Sequence, residues 1–185
     1  GFYGHRLQLY RHTTPHQGFQ LLLDLAKNLA HGYFVFTSNV DGQFQKAGFN
    51  SQRIFECHGS IHALQCLLPC HEDVWTANLF RPEVDPQNCQ LTSTFPRCNY
   101  CGGIARPNLL MFNDTSWLSA IYDIQEQRLI NWLNKVSNPI VIEIGAGKAI
   151  PTVRQFSEQF TPRLIRINPL QADIPRHQGI SLRMG

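Results

Sequence analysis

The chain has 185 residues, 43% of them hydrophobic and 16% charged, and a net charge of +3. That length holds one ordinary domain plus a small insertion, and that composition excludes a disordered or coiled-coil chain. The charge is too weak to argue by itself for nucleic acid, and no apolar run approaches the ~18 residues of a membrane span.

The chain opens Gly1-Phe2-Tyr3-Gly4, with no initiator Met and no secretory signal. The expectation is a soluble, cytoplasmic protein met without its natural start. Thr14-Pro15-His16-Gln17 predicts a helix start, with Thr14 as cap, Pro15 in the first helical position and Gln17 closing a capping box. Phe19, Leu22, Leu23, Ala26, Leu29 and Ala30 follow at helical spacing, and Gly32 is the expected stop. Tyr33-Phe34-Val35-Phe36-Thr37 is a short apolar run that predicts a fully buried strand. A second strand is expected over 53–57.

Residues 60–111 change character, holding five of the six cysteines, five prolines and little periodicity. They predict a small module organised by a metal rather than by a core. A helix is expected from Thr115 or Ser116 to about Val136, with Trp117, Ile121, Ile124, Trp132 and Val136 as a packing stripe. A buried strand over 139–144, a helix after Pro151 and a last strand over 163–167 complete the pattern. The fold class read from this order is α/β, a Rossmann-like parallel sheet with helices on both faces plus a four-cysteine zinc module. Residues 1–59 and 112–185 form the sheet domain in this reading and 60–111 the module. Open α/β sheets bind ligands outside the carboxyl ends of their strands, which singles out the loops 38–42, 145–148 and 168–170.

Cys66-x3-Cys70 and Cys98-x2-Cys101 are two short turns with 27 residues between them. Two such turns bring four thiolates to a tetrahedral zinc ion, and a closed four-cysteine site is structural. Cys89 is the alternative to Cys70. Three further segments carry candidate chemistry. Thr37-Ser38-Asn39-Val40-Asp41-Gly42 presents an amide, a carboxylate and a glycine at a strand's carboxyl end, suited to ribose hydroxyls or a carboxamide. In Glu56-Cys57-His58-Gly59-Ser60, His58 stands between a strand and a turn, where an imidazole is a natural general base. Val141-Ile142-Glu143-Ile144-Gly145-Ala146-Gly147 runs from a strand into glycines that let a backbone approach a cofactor. Alone it looks like the first motif of a methyltransferase, but too little chain follows to build that domain. As a dinucleotide fingerprint it lacks the third glycine.

In this order the pieces resemble one family, the sirtuins. The segments at 37–42 and 56–60 look like its Thr-Gln-Asn-Ile-Asp-Gly and Glu-Leu-His-Gly-Ser signatures. The cysteine pairs look like its zinc module. Arg106-Pro107-Asn108-Leu109-Leu110-Met111-Phe112-Asn113-Asp114 is similar to its Arg-Pro-Asp-Val-Val-x-Phe-Gly-Glu. Gly145-Ala146-Gly147 with Ile150-Pro151, and Ile167-Asn168, resemble its later nucleotide-binding stretches. The resemblance implies an NAD-dependent protein-lysine deacylase of a divergent, bacterial type. His58 would activate a ribose hydroxyl of NAD. The oxygen of the acyl-lysine would attack the ribose C1′ carbon, nicotinamide would leave, and the acyl group would end on ADP-ribose. Asn39 and Asp41 would line the nicotinamide-ribose pocket, and Thr37 and Ser38 beside them would also be cofactor-binding. Gly145, Ala146, Gly147 and Asn168 would hold the other ribose and the adenine side. Leu110, Met111, Phe112 and Asn113 would pair with the acylated peptide as a strand. Cys66, Cys70, Cys98 and Cys101 would hold the structural zinc.

Ser38 stands where the family has Gln, Phe44 where it often has His, and Asn113-Asp114 where it has Gly-Glu. Gly145-Ala146-Gly147 replaces Gly-Thr-Ser and so lacks two hydroxyls. Nothing before Thr14 matches the family's opening Gly-Ala-Gly-Ile-Ser and Asp-Phe-Arg, which bind the NAD phosphates. The expectation is that residues 1–185 alone bind NAD weakly and do not turn over. Two other readings stand beside the deacylase: NAD hydrolysis or ADP-ribosyl transfer on the same fold, and a non-catalytic zinc-ribbon module. The last is the poorer fit to a nucleic-acid partner, since 60–111 offers only Arg81, Arg97 and Arg106 as strong bases.

Overall fold

Tyr3, Leu7 and Tyr10 recur at helical spacing at the very start of the chain. In the computed structural model, which describes all 185 residues, they lie on α1 (Phe2–His12), a helix the motifs do not announce. The chain divides into two compact units, 1–130 and 131–185.

In the first unit, α2 (Gln17–Lys27) starts later and ends earlier than its pattern predicts. The cap is His16 rather than Thr14, because the imidazole Nδ1 accepts the Gly18 N–H at 3.0 Å while His16 itself stays extended. Pro15 therefore lies outside the helix. Past Lys27 the chain closes single turns, Leu29 N–H to Ala26 and Gly32 N–H to Leu29, and Gly32 takes a positive φ of 64°. β1 (Val35–Thr37), α3 (Gln43–Lys46) and β2 (Ile54–Glu56) follow. β1 and β2 pair in parallel, with Thr37 opposite Glu56; all of β2 is buried, whereas β1, expected to be fully buried, buries only Thr37 and leaves Val35 and Phe36 half-buried.

The stretch 60–111 is not held by cysteines alone. β3 (Gly59–Cys66), β4 (Trp75–Thr76), the hairpin strands β5 (Val84–Asp85) and β6 (Gln90–Leu91), and β7 (Ala105–Leu109) occupy it. β4, β3 and β7 form an antiparallel sheet in that order. Ile61, Leu64, Ala77 and Leu109 from this sheet region bury against Leu7 of α1, with Tyr3, Tyr10, Val40, Trp75 and Phe80 around them. Each large aliphatic side chain buried there contributes roughly 1.5–3 kcal/mol. The core of the first unit thus crosses the boundary expected near residue 60. Gly59 is required at the β3–β7 junction: φ is +78°, and a Cβ there would lie 2.1 Å from the Asn108 carbonyl oxygen.

α4 (Ala120–Leu133) begins several residues after the predicted start. Gln65, fully buried, explains the delay. Its amide donates to the Ser116 carbonyl and its oxygen accepts the Leu118 N–H, while Asn108 donates to the Leu118 carbonyl and to Gln65. Backbone groups that a helix would use are captured by side chains from two strands. Of the predicted stripe, Ile124 is exposed; Gln125 and Leu129 are the buried positions.

In the second unit, β8 (Val141–Ile144), α5 (Thr152–Ser157), β9 (Leu164–Ile167) and β10 (Gly179–Leu182) form a parallel sheet of order β10-β9-β8 with one short helix. β9 is therefore not the last strand, and β8, expected to be buried, buries Glu143 while Ile142 and Ile144 on its other face are exposed. Parallel pairing in two places bears out the α/β reading, and the antiparallel β4-β3-β7 sheet is the addition to it.

Candidate functional site

Cys66 ends β3, Cys70 lies in the turn beyond it, and Cys98 and Cys101 sit in a knuckle before β7, closed by Gly102 N–H to the Cys98 carbonyl. The four sulfurs lie within 4.8 Å of one another. Cys66 to Cys101 and Cys70 to Cys98 are each 3.7 Å. A tetrahedron with Zn–S bonds of about 2.3 Å has edges of about 3.8 Å, so these thiols fit a zinc ion as they stand. Backbone N–H groups, that of Cys101 foremost, hold the Cys98 thiol well below its usual range. Cys89 is outside the cluster, exposed, with φ of 52°; Cys70 is the fourth thiol of the cluster.

The segments containing Asn39 and His58 leave the carboxyl ends of β1 and β2 side by side. Cys57 N–H bonds the Thr37 carbonyl at 2.9 Å, and Ile61 N–H bonds the Val40 carbonyl at 3.0 Å. The Thr37 hydroxyl accepts the Asn39 N–H, and the Asp41 carboxylate accepts the Gln43 N–H. His62 Nε2 lies 2.9 Å from the Asp41 carbonyl oxygen, and Gly42, at φ +68°, leaves room for that ring. Asn39 is exposed; Ser38 and Asp41 are half-buried. Tyr10, Arg11, Asp41, Gln45, Ser60 and His62 line a cleft of about 330 Å³.

His58 is half-buried, and burial lowers its pKa, which leaves the ring neutral at pH 7. Burial pushes the adjacent Cys57 thiol up to about 12, so it is an inert core thiol and not a nucleophile beside a base. Leu110 N–H bonds the His58 carbonyl at 3.0 Å, which sets residues 110–113 against it. Leu110 and Phe112 are exposed, Met111 is half-buried, and Asn113 turns the chain at φ 56°. A bidentate Arg106–Asp114 pair closes this loop at 2.7 and 2.9 Å.

In the second unit the loops after β8 and β9 also run side by side. Gly145 N–H bonds the Ile167 carbonyl. The Asn168 amide donates to the Ala146 carbonyl at 3.2 Å, and its oxygen accepts the Leu170 and Gln171 N–H groups. Arg154 also donates to the Ala146 carbonyl, and Lys148 N–H bonds Gln171. Asn168 is thus a strut between the two loops. Gly147 is exposed, with open space where a Cβ would project.

Sequence reasoning passed over Glu56. It is buried between the two motif segments, in contact with Gln45, Ser60 and Gln125, and its Oε1 has no partner. Burial raises its pKa. Its place inside the quoted motif was the only signal.

The Sir2 family sequence model matches residues 1–135. The chain is similar to an NAD-dependent protein deacetylase of Shouchella clausii (strain KSM-K16), 30% identical over 181 residues, covering 98% of this chain and 64% of that protein. It is also similar to an NAD-dependent protein deacylase of Aquifex aeolicus (strain VF5), 23% identical over 177 residues, covering 95% of this chain and 66% of that protein. The chain therefore spans just under two thirds of the length of these curated relatives. A solved Sir2 homolog–NAD complex shares the fold, with a TM-score of 0.69 at 19% identity, covering 98% of this chain and 64% of the other.

Proposed function

The chain belongs to the Sir2 family, and on that footing we propose that its protein removes acyl groups from protein lysines with NAD, releasing nicotinamide and O-acyl-ADP-ribose. The observation that carries the reading is the placing of His58. A neutral, half-buried imidazole stands at the carboxyl end of a buried parallel strand. The backbone around it is tied to the 37–40 segment through Cys57 N–H to Thr37 and Ile61 N–H to Val40, and to the exposed Leu110 through the His58 carbonyl.

NAD, when bound, supplies the electrophilic ribose carbon. The chain's residues do the rest. His58 takes the proton of a ribose hydroxyl, for which a base neutral at pH 7 is required. Thr37 holds the Asn39 backbone, so that Asn39, Ser38 and Asp41 line the nicotinamide-ribose side. Leu110 and Phe112 flank the aliphatic stem of the acyl-lysine, with Met111 and Asn113 continuing the rim. Gly145, Ala146 and Gly147 give a backbone that a nucleotide can approach closely, and Asn168 keeps that loop in shape. The zinc set of Cys66, Cys70, Cys98 and Cys101 is closed, so its part is to hold the fold. No helix is long and apolar enough to cross a membrane, and all six cysteines are unbridged, which accords with a reducing compartment such as the cytoplasm.

The test is nicotinamide release by the protein in its natural full-length form, with NAD and an acetyl-lysine peptide. Release that requires the peptide, with deacetylated peptide formed in equal amount, is the expected result. Release that proceeds equally without peptide would replace the deacylase by an NAD hydrolase.

A further inference from the structure

We propose that His71 retains the zinc from outside its ligand set, by donating a hydrogen bond from Nε2–H to the Cys98 thiolate. His71 follows Cys70 directly, and its Nε2 lies 3.2 Å from the Cys98 sulfur. Which nitrogen carries the proton follows from the other side of the ring. The backbone N–H of Asp73 points at Nδ1 at 2.9 Å. A nitrogen that accepts a hydrogen bond has its lone pair engaged and bears no proton, so the proton of the neutral ring is on Nε2.

That assignment excludes His71 as a ligand. One nitrogen is engaged by the backbone and the other is protonated, so the four sulfurs keep the metal. The ring cannot readily turn away. It packs against Tyr100 with centroids 3.8 Å apart and the rings tilted by 40°, and lies near Trp75 at 5.9 Å. The Tyr100 hydroxyl in turn donates to the Asp73 carboxylate, tying the Cys98–Cys101 knuckle to the turn that carries His71. Four thiolates bring more negative charge than a zinc ion cancels. A fixed N–H donor disperses that excess and opposes protonation or departure of the sulfur it faces.

Zinc affinity, measured by competition with a chromophoric chelator on the full protein, tests this with two variants. His71→Phe keeps a ring against Tyr100 but has no donor, and it should weaken zinc binding by about tenfold. His71→Gln can present an N–H near the position of Nε2 and should bind as the parent does. Cobalt substitution should give a four-thiolate spectrum in all three. Parent-like affinity in His71→Phe would overturn the proposal, as would His71→Gln as weak as His71→Phe. A parent cobalt spectrum showing an imidazole ligand would do the same. A proton–nitrogen NMR correlation of the His71 ring in the unmutated protein needs no variant: the proton on Nε2 is expected, and a proton on Nδ1 refutes the proposal.

Discussion

Glu143 and Arg166 stand opposite each other on β8 and β9, with Arg166 Nε 2.6 Å from Glu143 Oε1 and only 3% and 0% of the two side chains exposed. A second guanidinium nitrogen reaches the other carboxylate oxygen at 2.9 Å, Ser157 donates to the same oxygen, and Glu158 takes a further guanidinium contact at the surface. A buried pair of this kind is costly to break and cheap to replace whole, because removing one partner strands the other charge in the interior. Arg166→Leu should lower stability by about 3–5 kcal/mol in urea unfolding. The double variant Glu143→Leu with Arg166→Leu should lose less than the single one. A double variant weaker than Arg166→Leu would show that the pair itself, and not the stranded carboxylate, holds the sheet.

The thiol cluster separates the two candidate ligands. Cys70→Ser should abolish stoichiometric zinc binding or reduce it severely. Cys89→Ser should leave it unchanged, since Cys89 is exposed and apart from the cluster. Native mass spectrometry of the two variants decides this. A zinc-replete Cys70→Ser would contradict the assignment.

Glu56 predicts a pH effect on stability. Its folded pKa is raised above the ordinary 4.5, first by desolvation. As pH rises past that value the unfolded chain loses the Glu56 proton before the folded chain does, so the folded state is disfavoured. The penalty is absent well below 4.5 and grows until the folded carboxyl ionises. Relative to the parent, Glu56→Gln should therefore gain stability as pH is raised from 4 to 7. Denaturant midpoints across that range that differ by a constant amount would contradict it.

Short-range chemistry was legible in the sequence, and long-range capture was not. The cysteine pairs, the 37–42 and 56–60 segments and the strands β1 and β2 all depend on spacing within a few residues, and the structure places them in the expected elements, although only β2 is fully buried. α1 was missed because Tyr3, Leu7 and Tyr10 are diluted by Arg6, Gln8 and Arg11, so the apolar stripe is thin. The start of α4 shifted because Gln65, 51 residues before Ser116, and Asn108 on the neighbouring strand bind the backbone at Ser116 and Leu118. The Glu143–Arg166 pair looks locally like two ordinary charges in apolar strands; only the register of β8 against β9 makes it a buried couple.

His58 carries the opposite sign of linkage from a histidine whose pKa an acidic partner raises. Burial depresses its folded pKa below 6.5. Between the two values the unfolded chain binds a proton that the folded chain does not, so its contribution to stability falls as pH drops through 6.5. The acid limb of the peptide-dependent rate should accordingly have its midpoint below 6.5 in free enzyme, read from kcat/KM against pH. A midpoint above that value would mean that a different group titrates.

The most direct measurement is peptide-dependent nicotinamide release by the natural full-length protein carrying His58→Gln, at pH 7.5 and saturating NAD. A positioned base contributes about 100-fold or more, so the rate should fall by at least that factor while the zinc content and the unfolding midpoint stay near those of the parent. A variant that turns over at the parent's rate would remove His58 from the chemistry, and with it the deacylase reading that rests on its placing.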